Sequence, residues 1–459
     1  MRKYYIGVWL HVLLMALITV DSSQVYAGGF ETKGLGSRQL SMGGATLGLA
    51  DDWSAFYWNP AGLAYLKGSE LAIEGHVMFI HQESNQSLRN INLFEFNSQS
   101  NQVRSQNFLK GDSIKFYEHE PDFYGNQNID SILPTPIIAW YMNFGDFTVA
   151  TGLYGSSGGG ISWKDELTGF KGKDVLSSQI DLAFFTLNLP LAFGYKFNDK
   201  FSVGANVSFV YGYSSNEVTK NYVSREEDTE DKDFLFKSQS TGYGVSVSLG
   251  ALYKFNRKFS MGAVAFAPYT VYGEGESQFK SFVDEKSKSE TESTQPFKTG
   301  LGVAYQPNQH LKFALDGYYV MHSMVGVKTT YAEEGLLLSN NKITWGMEDT
   351  FMARFGAEYT DLGPFAVRAG FIYDPSPFKD ERASLSTPRY TDVYVPTCGF
   401  GFATKNFRID MAYQFTISPS RRVDYDDAYS YENPPESKPD YIEISGQTHI
   451  FTLTGIYHF

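Results

Sequence analysis

The 459-residue chain has a single cysteine, Cys398, so it holds no internal disulfide framework. Charged residues make up only 19% of it, against about 25% in an ordinary soluble domain. The net charge of −13 argues against nucleic acid as a partner. Its eight histidines show no ligand-like spacing, which argues against a catalytic zinc; no metal or cofactor is expected. Long apolar runs are missing too. The only one, Ile6 to Val20, is shorter than the roughly 20 residues that a membrane helix needs.

That short run reads as part of an export signal. Arg2 and Lys3 precede it, and Val25-Tyr26-Ala27 places small residues at the −3 and −1 positions of a cleavage site. Residues 1–27 are therefore expected to be a removed signal peptide. In an exported chain without membrane helices, 16% aromatics (31 Tyr, 37 Phe) and 43 Gly suggest a β-barrel of the outer-membrane type, with aromatic girdles at both interfaces.

Period-2 alternation supports this class. Phe201, Val203, Ala205, Val207 and Phe209 alternate with Ser202, Gly204, Asn206 and Ser208. Tyr243 to Tyr253 and Phe407 to Phe415 alternate in the same way. At the chain end, Phe451, Leu453, Gly455, Tyr457 and Phe459 lie on one face; Tyr457 and Phe459 resemble a signal read by the barrel-assembly machinery. With an export signal and chain to spare for a lumen, the apolar face is expected to point outward.

Tight turns are expected at residues 143–146, 197–200, 255–258, 306–309, 361–364 and 404–406. Long polar connections are expected at 83–131, 156–178, 215–236, 274–294, 328–342, 375–391 and 419–445. Six turns and seven loops give fourteen strands over residues 69–459, an all-β, antiparallel transmembrane barrel. The loops carry acidic clusters, Arg225 to Asp233 and Asp424 to Asp427, read as a solvated outer surface, with lipopolysaccharide contact as the sharper reading. The 83–131 loop also carries Leu93, Phe94, Phe96, Phe108 and Phe116, enough to offer an apolar groove over the barrel mouth.

Residues 28–68 precede the wall. The stretch Gly28 to Gly62 is rich in small residues, lacks strand alternation and ends in Asn59-Pro60-Ala61. A segment in this place is expected to sit in the lumen as a plug. Gly-Phe30, Gly34-Leu-Gly36, Arg38, Ala50-Asp-Asp52 and Asn59-Pro-Ala61 resemble the start of the FadL/OmpP1/TodX family. The resemblance implies an outer-membrane channel for passive uptake of long-chain fatty acids or aromatic hydrocarbons. It implies a hatch over 28–68, with Asn59, Pro60 and Ala61 functionally important in gating. It also implies sideways release into the membrane where the third strand kinks; Gly158, Gly159 and Gly160, after a third strand of about 146–156, are the candidates here.

A fatty-acid carboxylate would need a cation. Alternation turns Lys312, Arg354, Arg368 and Arg408 inward, with Glu358 near Arg354 and Asp410 near Arg408, so paired wall charges bracing a wet lumen compete with ligand binding. The partners expected are a hydrophobic small molecule, outer-membrane lipid and lipopolysaccharide, with the barrel a monomer. Met42-Gly-Gly-Ala45 and Trp58-Asn-Pro-Ala-Gly62 also look like the start of PorV-type barrels, which implies a role in type IX protein secretion as the alternative. Gly155 to Gly159 fits a Gly-x-Ser-x-Gly pattern, but nothing after it reads as the helix of a nucleophile elbow, so no enzyme is expected.

Overall fold

The computed structural model describes residues 34–84, 127–166, 177–221, 234–280, 284–344, 346–379, 391–424 and 441–459. The expected signal peptide, most of the 83–131 loop with its aromatics, the 225–233 cluster and residues 425–427 lie outside these.

The strands form one closed antiparallel sheet of fourteen wall strands. They are β1 (Ser69–Ser84), β2 (Gln127–Asn143), β3 (Phe147–Glu166), β4 (Ser177–Lys196), β5 (Phe201–Asn221) and β6 (Phe234–Lys254). Four interrupted strands follow: β7 (Phe259–Phe266, Tyr269–Lys280), β8 (Asp284–Gln295, Lys298–Tyr305), β9 (Leu311–Val320, Gly326–Tyr331) and β10 (Asn341–Thr344, Thr350–Leu362). The last are β11 (Phe365–Asp374), β12 (Val393–Ala403), β13 (Phe407–Asp424) and β14 (Tyr441–His458). Pairing of β1 with β14, from Glu70↔His458 to Ser84↔Ile444, closes the wall and leaves no end strand unpaired.

The six expected tight turns are all present. At four of them an Asn side chain accepts backbone N–H groups. Asn198 Oδ1 takes those of Lys200 and Phe201 at 2.9 Å each, Asn256 and Asn308 likewise take two each, and Asn143 takes that of Gly145. Aromatic rings cluster beside these turns, as at Tyr195–Phe197 (5.0 Å) and Tyr253–Phe255 (4.8 Å). The alternation runs apolar-out. Val207, Phe209, Tyr243, Val245, Leu249 and Leu453 are exposed, while Ser202, Asn206, Ser208, Ser248 and Thr454 are buried. Tyr457 and Phe459 lie on the outer face at the turn side, with Tyr457 opposite both Phe407 and Leu71.

Two expectations about loops fail. The 156–178 connection is mostly strand: β3 continues to Glu166, and Gly158, Gly159 and Gly160 pair with Phe185, Phe184 and Ala183 of β4. The 274–294 connection is also mostly strand. Above the membrane the outward face of a strand meets water instead of lipid, so hydrogen bonding continues after the outward row has ceased to be apolar, while Ser277, Phe279, Ser287 and Ser289 stay buried on the inward face. The outward row Glu274, Glu276, Lys286, Lys288 and Glu290 belongs to such a region.

Residues 34–66 are almost entirely buried and touch the inward side chains of most wall strands, a set of contacts that only a segment inside the barrel can make. The wall meets it at glycines. A Cβ on Gly204 would stand 2.2 Å from the Pro60 carbonyl carbon, and one on Gly370 would stand 2.3 Å from the Gly43 nitrogen. Gly204→Val should therefore displace the 60–65 turn at a cost of about 1–3 kcal/mol, the usual range for overpacking. Heat-dependent gel mobility should show a folded barrel, and single-channel recording should show raised conductance.

Candidate functional site

The inner segment is built from very short elements. Helix α1 (Ser37–Ser41) follows Gly36, Gly43 and Gly44 turn the chain with φ of 65° and 68°, and α2 (Ala55–Trp58) leads into a 3-10 turn over Pro60–Tyr65. Asn59 is extended (φ −150°), as the residue before a proline should be, and Pro60 opens the turn.

Asn59 is fully buried and joins three parts of the structure. Its Nδ2 donates to the carbonyls of Leu47 (3.0 Å) and Ala251 (3.1 Å), and its Oδ1 accepts from the Ala61 N–H (3.2 Å). One amide thus ties the 46–50 turn, wall strand β6 and its own 3-10 turn. Ala61 in turn accepts from Ser202 Oγ at 2.8 Å.

Two wall carboxylates grip pairs of backbone N–H groups. Glu74 accepts from Gly36 (2.9 Å) and Ser37 (2.8 Å), at the start of α1. Asp316 accepts from Thr46 (2.6 Å) and Leu47 (2.9 Å). Thr397 Oγ1 links both ways, accepting from Gly43 N–H and donating to the Ser41 carbonyl. None of these three residues was among the expected site residues. A lone inward Asp or Thr on a strand carries no sequence mark of its partner.

A charge network completes the hold. Arg38 makes a two-pronged pair with Glu358 (2.7 and 2.8 Å) and reaches Asp51 at 2.5 Å. Arg368 bridges Glu358 (2.7 Å) and Asp410 (2.8 Å), Lys312 contacts Asp51 (2.8 Å) and Glu358 (3.4 Å), and Arg408 contacts Asp410 (2.7 Å) and Asp52 (3.8 Å). Four cations therefore meet four carboxylates, some from the segment and some from the wall. Of the four expected inward cations, this arrangement brings three together. The expected neighbour of Arg354, Glu358, pairs elsewhere. Residues four apart on a strand are about 13 Å apart, while Lys312 and Arg368 stand directly across from Glu358 on the two flanking strands. Arg354 instead packs 5.1 Å from the Trp58 and Tyr318 ring centres, with Nε 3.1 Å from Met352 Sδ.

Burial opposes the charge on Asp51, but Arg38 and Lys312 outweigh it and hold its carboxyl well below the usual carboxylate range. A depressed pKa stabilises the seated segment above the unfolded value of about 3.9 and stops doing so only as pH falls through the still lower folded value.

Above the segment lies a cavity of about 80 Å³, lined by Tyr57, Tyr154, Ser156, Asn188, Asn206 and Ser248 among others. Phe56 and Tyr57 pack on Tyr154, with ring centres 5.9 and 5.6 Å apart. Tyr154 lies just past the last residue of β3 that pairs with β2. That pairing runs only from Asn143↔Thr148 to Ile138↔Leu153, although both strands continue upward. Gly155 to Gly159, the hydrolase-like pattern, lies within strand β3 and not at a strand-to-helix elbow. No group of His, Cys, Asp or Glu that could hold a metal occurs among the described residues.

Known proteins resemble this arrangement. The family model described as outer membrane protein transport protein (OMPP1/FadL/TodX) matches residues 18–459. Among solved structures, a Pseudomonas aeruginosa FadL homologue superposes with a TM-score of 0.67 at 16% identity, covering 94% of this chain and 100% of that one. The Ralstonia pickettii toluene transporter TbuX (TM-score 0.59) and the P. putida toluene transporter TodX (0.60) are each 15% identical, with 93% of this chain and 99% of theirs covered. No functionally curated protein matches the sequence closely enough to count as a relative.

Glu358→Gln should leave Arg38, Arg368 and Lys312 sharing a neutral acceptor. Breaking a buried ion pair typically costs about 3–5 kcal/mol, so protease should reach the inner segment while the barrel stays folded. In the parent protein the segment should remain protected from neutral pH down to about 4 and become accessible only in stronger acid. Asp51→Asn should weaken that pH dependence, leaving the part carried by Glu358.

Proposed function

Because the chain belongs to the OMPP1/FadL/TodX family of outer-membrane transport proteins, we propose that it is a passive channel for hydrophobic compounds, gated by residues 28–68 and releasing substrate sideways through the wall. The family consists of transport channels, not enzymes. Residues 1–27 are proposed to direct export and to be removed, and Tyr457 and Phe459 to serve barrel assembly.

The observation that carries this reading is a continuity. Asn59 anchors the 3-10 turn next to α2, α2 packs its aromatic rings on Tyr154, and Tyr154 borders the stretch where β3 has left β2. A shift around Asn59-Pro60-Ala61 would be felt at Tyr154, and hence at both the cavity and the unpaired edge. The cavity, at about 80 Å³, is too small to hold a hydrophobic substrate while the segment is seated. A substrate entering from outside would therefore enlarge it by displacing the segment and leave between β2 and β3, near Gly158 to Gly160. Passage of this kind needs only moderate affinity, since tight binding would prevent release.

Long-chain fatty acids and aromatic hydrocarbons are the proposed substrate classes. Lys312, Arg368 and Arg408 are engaged with carboxylates, which favours a bracing role for them. Arg354 has no carboxylate within ion-pair distance among the described residues, and one of its terminal nitrogens lacks a hydrogen-bond partner. It is the proposed partner for a fatty-acid carboxylate.

Uptake of a labelled long-chain fatty acid and of toluene, measured in parallel in cells with and without the gene, tests the reading. Uptake of at least one should depend on the gene. Dependence of neither, together with a protein partner retained through gentle extraction, would favour a role in secretion. Asn59→Ala removes the partner of two buried carbonyls and one N–H, at about 1–3 kcal/mol for each group left unsatisfied. It should alter uptake several-fold with the barrel still folded by gel mobility, and loss of folding would make the motif structural instead.

A further inference from the structure

The two edges that separate between β2 and β3 present a physical problem. They lie below the aromatic contact Phe79–Phe451 and above the Leu71–Tyr457 level, that is, within the apolar band. Unpaired backbone N–H groups facing hydrocarbon cost several kcal/mol each, and open sheet edges are not tolerated there. Something must lower that cost.

Three prolines lie where they can do so. Within a strand, a residue's N–H and C=O point to one neighbour and those of the next residue to the other. The Asn143 N–H bonds to Gly68, just before β1, so odd-numbered residues of β2 face β1 and even-numbered ones face β3. The β1–β2 register is unbroken from Ser69↔Met142 to Ser84↔Gln127, so this parity holds throughout. Pro134 and Pro136 therefore both turn a nitrogen without a proton toward β3. Had the β2–β3 ladder continued in register beyond Ile138↔Leu153, Pro136 would have faced Gly155; Pro134 is level with Ser157, which a shift at Ser156 turns toward Thr186 of β4.

The same reasoning applies on the other side of β3. The Lys196 N–H bonds to Asp146, just before β3, and the β4–β5 register is unbroken, so even-numbered residues of β4 face β3. Pro190 is one of them, and its carbonyl accepts from Thr151 Oγ1 at 2.7 Å, as that direction requires. Pairing of β3 with β4 passes from Thr151↔Leu191 to Tyr154↔Asn188, skipping the position opposite Pro190, and then shifts at Ser156. Prolines on both neighbours thus face β3 between Gly152 and Ser157.

We propose that Pro134 and Pro136 end the β2–β3 ladder and hold the wall open at mid-membrane, with Pro190 loosening the opposite edge of β3 so that it can bend. The prolines delete the donors that would otherwise either zip the two strands together or be stranded in lipid. On this account the opening is a property of β2 and β4, not of the glycines of β3, since Gly158 to Gly160 remain in register with β4. Its consequence for transport rests on the lateral-release reading; the wall geometry does not.

The test is the double variant Pro134→Val with Pro136→Val in lipid nanodiscs, with barrel folding checked by heat-dependent gel mobility. Hydrogen exchange at Gly155, opposite Pro136, should slow at least tenfold as the ladder extends. Unchanged exchange there in the folded variant would overturn the proposal. Slowed exchange with gene-dependent uptake falling at least tenfold supports the proposal and lateral release together. Slowed exchange with uptake intact supports the role of the prolines and refutes lateral release. If the double variant does not fold, Pro136→Val alone, opposite Gly75, is read at Gly155 by the same criterion.

Discussion

The structure depends on one constraint: in hydrocarbon, a backbone N–H or C=O must find its partner within the protein. A closed wall meets it, and pairing of β1 with β14 supplies the closure. A wall of fourteen strands is wide enough to hold a lumen, and the inner segment must then satisfy its own backbone there. It does so by borrowing from the wall. Glu74 and Asp316 each take two of its N–H groups, Ser202 and Thr397 take up further backbone groups, and Asn59 of the segment itself caps the Leu47 carbonyl.

These contacts add to an apolar core, in which Leu35, Trp53, Phe56 and Leu63 of the segment pack on Ala139, Tyr141 and Tyr154 of the wall. The segment is held in addition by hydrogen bonds and by a balanced set of charges, with glycines on the wall allowing backbone to meet backbone. Such contacts are directional. They fix one seated position and are lost together when the geometry changes, a constraint that the apolar contacts alone would not impose. That behaviour suits a gate better than a permanent filling.

Much of the fold was legible in the sequence. The turns carry Asn at the position where its side chain can accept two backbone N–H groups, and alternation marks the strands wherever one face meets lipid. Legibility ended where that contrast ended. β3 beyond Ser156 and the upper parts of β7 and β8 leave the apolar band, so their outward row is no longer apolar and the mark of a lipid-facing strand is gone. The charge network was only half readable. Lys312, Arg368 and Arg408 showed themselves as inward cations, with Asp410 beside Arg408, but Glu358, the partner of Lys312 and Arg368, is shared across strands, and register is not written in any one segment. Arg38, Asp51 and Asp52 lay within the resemblance motif, yet their pairing to the wall needed three dimensions. The prolines of β2 were visible from the start, but their meaning depended on which way their nitrogens faced.

The central claim is that the inner segment must move for substrate to pass. Ser37 Oγ of the segment and Thr454 Oγ1 of the wall lie 2.7 Å apart, so Ser37→Cys with Thr454→Cys, made in a Cys398→Ser background, places a reversible tether between segment and wall. Uptake of labelled fatty acid or toluene, whichever depends on the gene, should stop when the tether is oxidised and return on reduction. Equal uptake in the oxidised and reduced states would contradict the account.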